Sequence, residues 1–468
     1  MIALSLAQIA DFTDGRLVDV VDPLAMVTGP VVADSRTVGP GGLFVALAGE
    51  HVDGHDYVSE AAAAGAVATL AVRALGRPAI VVPDVLVALG RLARGVLDRS
   101  PGLTVVAVTG SAGKTSTKDL LSDVLAEHGP TVAPPGSFNN ELGLPLTVLS
   151  VDETTRYLIV EMGARASGHI SYLCGIAPPR IAVVLMVGTA HVGEFGDRGA
   201  IAAAKSELVA ALPPDGVAVL NADDAAVRAM ASTSPSRVVW FGLAQDAEVR
   251  AADVRVDSAG RASFRLVTPA GEAPVTLQLH GRHHVTNALA SAAVARELGV
   301  SVDVVADALS RAVPRSRWRM EVTQRADGVT VVNDAYNASP ESVHAALETL
   351  ARMGEGRRTW AVLGEMRELG AAAPAEHEAV GRLANRLDID RLVVVGDAAR
   401  PIDLAATQER SPNRRSDYVP DVDAAIALVT RQVGPGDVVL VKAARAVGLE
   451  RVAQALLEAP VASVEGER

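Results

Sequence analysis

A continuous apolar, largely β-branched run, Leu103-Thr104-Val105-Val106-Ala107-Val108, leads directly into Thr109-Gly110-Ser111-Ala112-Gly113-Lys114-Thr115-Ser116. Such a run suits a strand buried on both faces, and the segment after it carries Gly-x-x-Gly-Lys-Thr, a shortened form of the phosphate-binding loop. Leu120, Leu121, Val124 and Leu125 then recur at helical spacing, so the loop opens the N-terminus of a helix over Thr115 to His128. Backbone N–H groups and the helix dipole at that end favour phosphate, a lysine there reaches the β- and γ-phosphates, and the Thr115 hydroxyl suits Mg²⁺. Gly110, Ser111, Ala112, Gly113, Lys114, Thr115 and Ser116 are therefore expected to hold ATP or a close relative.

The length of 468 residues implies about three domains. Residues 1–99 combine short strands and turns with an Ala-rich helix expected over Val58 to Ala66, and apolar pieces at Ala68 to Val72 and Ala79 to Val82. Over 100–313, apolar strands at Tyr157 to Val160, Ile181 to Val187, Val217 to Leu220 and Val238 to Phe241 alternate with helical segments, which implies a parallel sheet. Residues 251 to 280 switch to period-two patterning, an antiparallel extension, before an Ala-rich helix from Val285 to Leu298. Residues 314–468 hold a second alternation, with strands at Val329 to Val332, Thr359 to Leu363, Arg391 to Val395 and Val438 to Val441. The fold class is α/β: a small first domain, a central phosphate-loop domain on a parallel sheet, and a Rossmann-like C-terminal domain.

Only four of the 43 Lys and Arg residues are lysines: Lys114, Lys118, Lys205 and Lys442. Arginine supplies charge almost anywhere, so a position kept as lysine in so biased a chain points to a need for the amine itself. Lys118, one turn into the phosphate-loop helix, is expected to be solvated charge. No apolar run approaches the ~20 residues of a membrane span, and Met1 to Thr13 lacks the basic start and cleavage site of a signal peptide. A cytoplasmic protein without membrane insertion is expected, and a monomer. The single Cys174 fits a reducing compartment, and the net charge of -12 weighs against nucleic-acid binding.

Taken together, the motifs resemble those of the Mur ligases, ATP-dependent amide-forming enzymes of bacterial cell-wall synthesis. Beyond the glycine loop, the resemblance is carried by Ser137-Phe138-Asn139-Asn140-Glu141-Leu142-Gly143-Leu144-Pro145, Val160-Glu161-Met162-Gly163, Gly188-Thr189-Ala190-His191, Ala203-Ala204-Lys205-Ser206-Glu207, Asn221-Ala222-Asp223-Asp224, Gly281-Arg282-His283-His284-Val285-Thr286-Asn287-Ala288 and Asn333-Asp334-Ala335-Tyr336-Asn337-Ala338-Ser339-Pro340. It runs over essentially the whole chain.

A carboxylate is a poor acyl donor, so such an enzyme first phosphorylates it, and the γ-phosphate needs cations around it. The resemblance implies Lys114 and Mg²⁺ for that task. Glu161 looks like the family's Mg²⁺ ligand, with the hard oxygen that suits the ion, and His191 like the contact to a second Mg²⁺. Lys205 resembles the lysine that CO₂ converts to a carbamate, which turns an ammonium into a metal-binding carboxylate. The implied catalytic set is Lys114, Glu161, His191 and Lys205. Asn287 resembles the adenine contact, while His284 stands where relatives often have Asn. Within Pro314-Arg315-Ser316-Arg317-Trp318-Arg319-Met320-Glu321, Arg317 resembles an arginine that reaches the phosphates when domains close, with Arg315 and Arg319 as the alternatives two residues to either side. Asp334, Tyr336 and Asn337 are implied to face ATP across the cleft, and Asn140 and Lys442 to lie near the substrate. Ala443-Ala444-Arg445 departs from the usual Gly-Ser-Arg after that lysine.

Ala33-Asp34-Ser35-Arg36-Thr37-Val38, with Gly41 to Leu47 and Gly54-His55-Asp56, resembles a UDP-binding module, so Ser35 and Arg36 are implied to contact a UDP substrate. Leu363-Gly364-Glu365-Met366-Arg367-Glu368-Leu369-Gly370, followed by His377, resembles the branch that adds a dipeptide. The branch that adds the third amino acid usually carries Asp-Asn-Pro-Arg there. The implied substrates are UDP-N-acetylmuramoyl-tripeptide and D-alanyl-D-alanine. A ligase for the third amino acid, a polyglutamate synthetase of the same superfamily and a non-catalytic nucleotide switch stay open as alternatives. Glu161, His191 and Lys205 together weigh against the switch.

Overall fold

The computed structural model describes residues 1–49, 52–190, 192–408 and 414–459. A five-stranded sheet near the N-terminus runs in the order Arg16–Val18, Ala79–Val81, Ala66–Ala71, Gly42–Val45, Val31–Val32, parallel except at its first edge. The helix expected over Val58 to Ala66 is shorter, Val58–Ala63, and Ala66 already begins the next strand. Gly65 is the reason. Its φ is +106°, and a Cβ there would sit 2.8 Å from the Pro40 Cα, so the chain turns where only glycine fits.

The second sheet has nine strands, in the order Gly271–His280, Arg261–Thr268, Val249–Val256, Arg237–Gly242, Val217–Asn221, Ile181–Val184, Thr104–Thr109, Tyr157–Glu161, Thr131–Val132. Pairing is parallel from Thr131–Val132 as far as Val249–Val256 and antiparallel beyond, where the sequence pattern changes to period two. In strand Thr104–Thr109, Val105 and Ala107 enter one core while Val106 and Val108 enter the other. That two-sided burial, worth about 1.5–3 kcal/mol for each valine, is why the run is apolar without alternation. Strand Ile181–Val184 stops short of the Val187 expected for it. The Leu185 N–H still bonds the Thr109 carbonyl at 3.1 Å, but beyond Val184 the Leu185 carbonyl accepts from Asn221 Nδ2 at 2.7 Å and the Met186 carbonyl from the Ser111 N–H at 3.0 Å.

The N-terminal unit and the central unit share one core. Leu89, Leu92 and Val96 of helix Val85–Asp98 lie in the same buried cluster as Leu144, Val148 and Leu173. Gly90 permits the contact, since a Cβ there would stand 3.0 Å from Ile176. The C-terminal unit instead has two cores of its own on the faces of a six-stranded sheet. Its order is Glu321–Gln324, Thr330–Asn333, Val438–Lys442, Thr359–Leu363, Arg391–Val395, Arg415–Val419, parallel but for the first pair. Carboxyl ends of strands from both large sheets meet at a single cleft, the position where open α/β sheets bind ligands.

Candidate active site

The phosphate loop forms one wall of a cleft of about 660 Å³. Gly113 caps helix Lys114–Ala126 with φ +85°, and a Cβ there would lie 2.6 Å from Asn287 Oδ1, so this glycine is required by both backbone and neighbour. Lys114 arches back over the loop and donates from Nζ to the Gly110 carbonyl at 2.7 Å. Ser111 Oγ accepts from the Gly188 N–H at 2.9 Å, which fixes the loop against the end of the neighbouring strand. Ala112, Thr115 and Ser116 line the same wall, as do Asn287 and Asn140. Asn140 holds its own loop by accepting from the Gly143 N–H at 2.8 Å.

Glu161 ends strand Tyr157–Glu161 beside the loop strand and is 0% exposed. Its Oε2 accepts from Ser137 Oγ at 3.1 Å, and Ser137 in turn accepts from Asn139 Nδ2 at 3.0 Å. Its Oε1 is buried and makes no hydrogen bond of good geometry among the described residues, although the Thr115 hydroxyl lies close enough to favour the ionised form. Burial pushes the carboxyl pKa up, against the pull of Lys114 and then Arg319. An orphaned carboxylate oxygen beside a phosphate loop fits a divalent cation, and Thr115 supplies a hydroxyl nearby. No cluster of three or more His, Cys, Asp or Glu able to hold a metal occurs among the described residues. The two oxygen donors present, Glu161 and Thr115, suit Mg²⁺, which is held by one or two protein oxygens and otherwise takes waters and phosphate oxygens. Lys205, on helix Arg198–Ala210, is 3% exposed and lines the cleft. Burial, and then the charge of Lys114, bring its pKa down to about 7, and it makes no hydrogen bond or ion pair among the described residues.

The C-terminal unit supplies the facing wall. Lys442, 2% exposed at the end of its strand, pairs with Asp334 and donates to the Asn337 carbonyl at 2.9 Å. The other Asp334 oxygen accepts from the Met320 N–H at 3.0 Å. Tyr336 lies under the Arg319 guanidinium, 4.2 Å from the ring centroid, and Arg319 donates to Thr115 Oγ1 at 3.1 Å. His283 and His284 also line the cleft; burial lowers both, His283 to about 4, so both rings are neutral near pH 7. Glu341, in the first turn of helix Pro340–Met353, crosses to the central unit and accepts from the Thr189 N–H and hydroxyl.

At two positions, Arg317 and Lys118, the geometry differs from the sequence expectation. Arg319, and not Arg317, reaches the phosphate loop; Arg317 is exposed, with its guanidinium 5.8 Å from the Trp318 ring centroid. Trp318 and Met320 both adopt left-handed backbone, φ +58° and +49°, so the chain reverses between positions 317 and 319. The Tyr336 N–H to Trp318 carbonyl bond, 3.2 Å, and Arg445 stacked 4.1 Å over the Trp318 ring hold that turn. Lys118 is buried rather than solvated, because the helix turns it inward onto the Pro134 carbonyl at 2.7 Å and onto Asp119. Ser35 and Arg36 sit in a short helical turn on the first unit, outside the lining of the cleft, with Arg36 paired to Asp34 at 2.7 Å. His191 lies outside the described residues. Ser137 and Glu341 are not singled out by sequence; Ser137 stands in a motif that flags its neighbours, whereas nothing local announces the reach of Glu341.

Three family models match the chain: the Mur ligase family catalytic domain at residues 30–96, the Mur ligase middle domain at 108–295, and the Mur ligase glutamate ligase domain at 318–445. A UDP-N-acetylmuramoyl-tripeptide--D-alanyl-D-alanine ligase of Mycobacterium tuberculosis is 50% identical, with 98% of each chain covered. The chain belongs to the Mur ligase family. Its fold is also similar to a MurF crystal structure from Acinetobacter baumannii, at 30% identity, a TM-score of 0.87, and 97% and 99% of the two chains covered. A MurF ligase from Thermotoga maritima in complex with ADP is 33% identical, with a TM-score of 0.78 over 92% and 98%. As a Mur ligase it is an ATP-dependent ligase, and the cleft beside its phosphate loop is lined from both the central and the C-terminal units.

Proposed function

We propose that this Mur ligase joins D-alanyl-D-alanine to UDP-N-acetylmuramoyl-tripeptide at the expense of ATP, as a monomer in the cytoplasm. The observation that carries the reading is the cleft itself. A phosphate loop and the half-satisfied carboxylate of Glu161 face a C-terminal wall with Arg319 and Lys442, in a chain half identical along its length to a ligase of that name. No helix among the described residues is long and apolar enough to cross a membrane.

In this reading the substrate carboxylate attacks the γ-phosphorus, the bond to the β-phosphate oxygen breaks, and ADP leaves. Lys114 and Arg319 offset charge on the phosphates from opposite sides, and Asn287 holds the adenine beside Gly113. Mg²⁺, held by Thr115 and Glu161 and assisted by His191 and Lys205, would neutralise phosphate charge when bound. Lys205 is suited to modification because its amine is half neutral near pH 7: the amine nitrogen bonds to the carbon of CO₂ and loses a proton, which leaves a carbamate anion. The dipeptide amine then attacks the acyl phosphate, inorganic phosphate departs, and the amide remains. Closing the C-terminal wall over the loop keeps water from the acyl phosphate. Asp334, Tyr336 and Asn337 complete that wall, Asn140 and Lys442 border the acyl acceptor, and Ser35 and Arg36 are assigned to the uridine end.

The test is phosphate release from Mg²⁺-ATP with the two substrates supplied separately and together. Release that needs both, with a UDP-pentapeptide product, is expected. Release with the UDP-dipeptide and one amino acid would move the assignment to the third-residue ligase.

A further inference from the structure

A buried row of bonded groups, none of them used in the chemistry above, connects the phosphate-loop helix to the two segments beside it. Lys118, 2% exposed, donates to the Pro134 carbonyl at 2.7 Å and pairs with one oxygen of Asp119. The other Asp119 oxygen accepts from Ser316 Oγ at 2.7 Å, and Ser316 is buried too. Each end of the row leads to a group in the cleft. Pro134 opens the segment whose Ser137 donates to Glu161, and Ser316 stands just before the turn that presents Arg319 to Thr115. Arg315 adds an ion pair to Asp123 on the same helix.

Bonds to a buried charge are short and directional, and removing one partner leaves an unsatisfied group inside the protein. Ser316 therefore has one favourable position relative to the helix. Thr115 is one turn from Asp119 on that helix, so the same rigid element carries both the anchor and the target of Arg319.

We propose that Asp119, fixed by Lys118, is a positioning residue: it locks the interdomain linker through Ser316 and thereby sets Arg319 on Thr115 at the nucleotide phosphates. The inference rests on the ligase reading, since it gives Arg319 a role there.

The experiment is a double-mutant cycle in the full chain with Ser316→Ala, Arg319→Ala and both, plus Ser316→Thr as the conservative variant. Two quantities are read, steady-state phosphate release with both substrates and Mg²⁺-ATP affinity by calorimetry. Ser316→Ala is expected to lower kcat on the order of tenfold, below the ~10²-fold that a misplaced group can cost, with KM for the two other substrates little changed. Ser316→Thr restores the rate, and Ser316→Ala has no further effect once Arg319 is gone. An equal factor in both backgrounds, or no effect in either, overturns the proposal. Where Ser316→Ala melts below the assay temperature, Ser316→Cys replaces it with the same two outcomes. If the parent chain releases no phosphate, the ligase reading has failed, and the affinity cycle, which needs no acceptor, still decides the coupling.

Discussion

Lys205 shares the cleft with Lys114, and burial together with that neighbouring ammonium holds its amine at about 7. A neutral amine is the form that reacts with CO₂, so modification should grow as pH rises through 7 and fade below it. Activity of CO₂-depleted enzyme should be low and should return with bicarbonate, more completely at pH 8 than at pH 6. Lys205→Ala should lose on the order of 10²-fold or more in kcat and regain part of it with a short carboxylic acid. A bicarbonate titration of phosphate release decides the matter; a flat response at both pH values rejects the modification.

The lowered pKa of Lys205 also acts on stability. It lies below the ordinary 10.5 in the folded chain, so between about 7 and 10.5 the unfolded chain binds the extra proton. Stability of the unmodified protein should therefore rise with pH across that window, by up to ~1.4 kcal/mol for each pH step of one. Lys205→Met should reduce that slope in denaturant melts run without CO₂, leaving the part that comes from Lys114 and Lys442, which burial also lowers. A variant with the parent's slope would contradict it.

Glu161 carries the opposite sign. Burial raises its pKa, so the folded state holds a proton that the unfolded chain gives up above the ordinary carboxyl range, and its ionisation costs stability as pH climbs. Without metal, Glu161→Gln should melt higher than the parent at pH 8 and match it near pH 4. Its activity should fall steeply, and the Mg²⁺ needed for half-maximal rate should increase. Melting curves with and without Mg²⁺ separate these effects.

Much of this fold is legible in the chain because two-sided burial writes itself as uninterrupted apolar runs, as in Val105 to Val108 and Val438 to Val441. The glycine loop is legible for a similar reason, since Gly113 occupies a conformation and a space that other residues cannot. What stays hidden depends on chain reversal and long-range contact. The left-handed backbone at Trp318 and Met320, which exchanges Arg317 for Arg319, follows from Tyr336, Asp334 and Arg445 on another part of the C-terminal unit. Lys118 reads as solvated because helical spacing does not reveal that the Pro134 carbonyl awaits it. The continuous core joining the first two units is invisible for the same reason: periodicity reports that a helix face is buried, not against what.

The exchange of arginines can be tested directly. Arg319→Ala removes both the Thr115 contact and the stack on Tyr336, and should lower kcat by about 10²-fold, in the range of an electrostatic stabiliser at a phosphoryl group. Arg317→Ala, at an exposed site, should stay within about twofold of the parent. Steady-state kinetics of the two variants settle the assignment, and the reverse order would place Arg317 at the phosphates.

Lys442 and Asp334 allow a sharper separation of stability from function. Both are buried, and each is the other's charged partner, so Lys442→Met leaves a carboxylate inside the protein without its cation. That should cost about 3–5 kcal/mol. Asp334→Asn in the same chain removes the stranded charge and keeps an oxygen for the Met320 N–H, so the double variant should recover most of the loss. Activity should not recover with it, because the amine that borders the acceptor is gone from both variants. Denaturant melts and turnover measured on the single and double variants give the two answers separately. Recovery of both together would mean that Lys442 serves the fold alone.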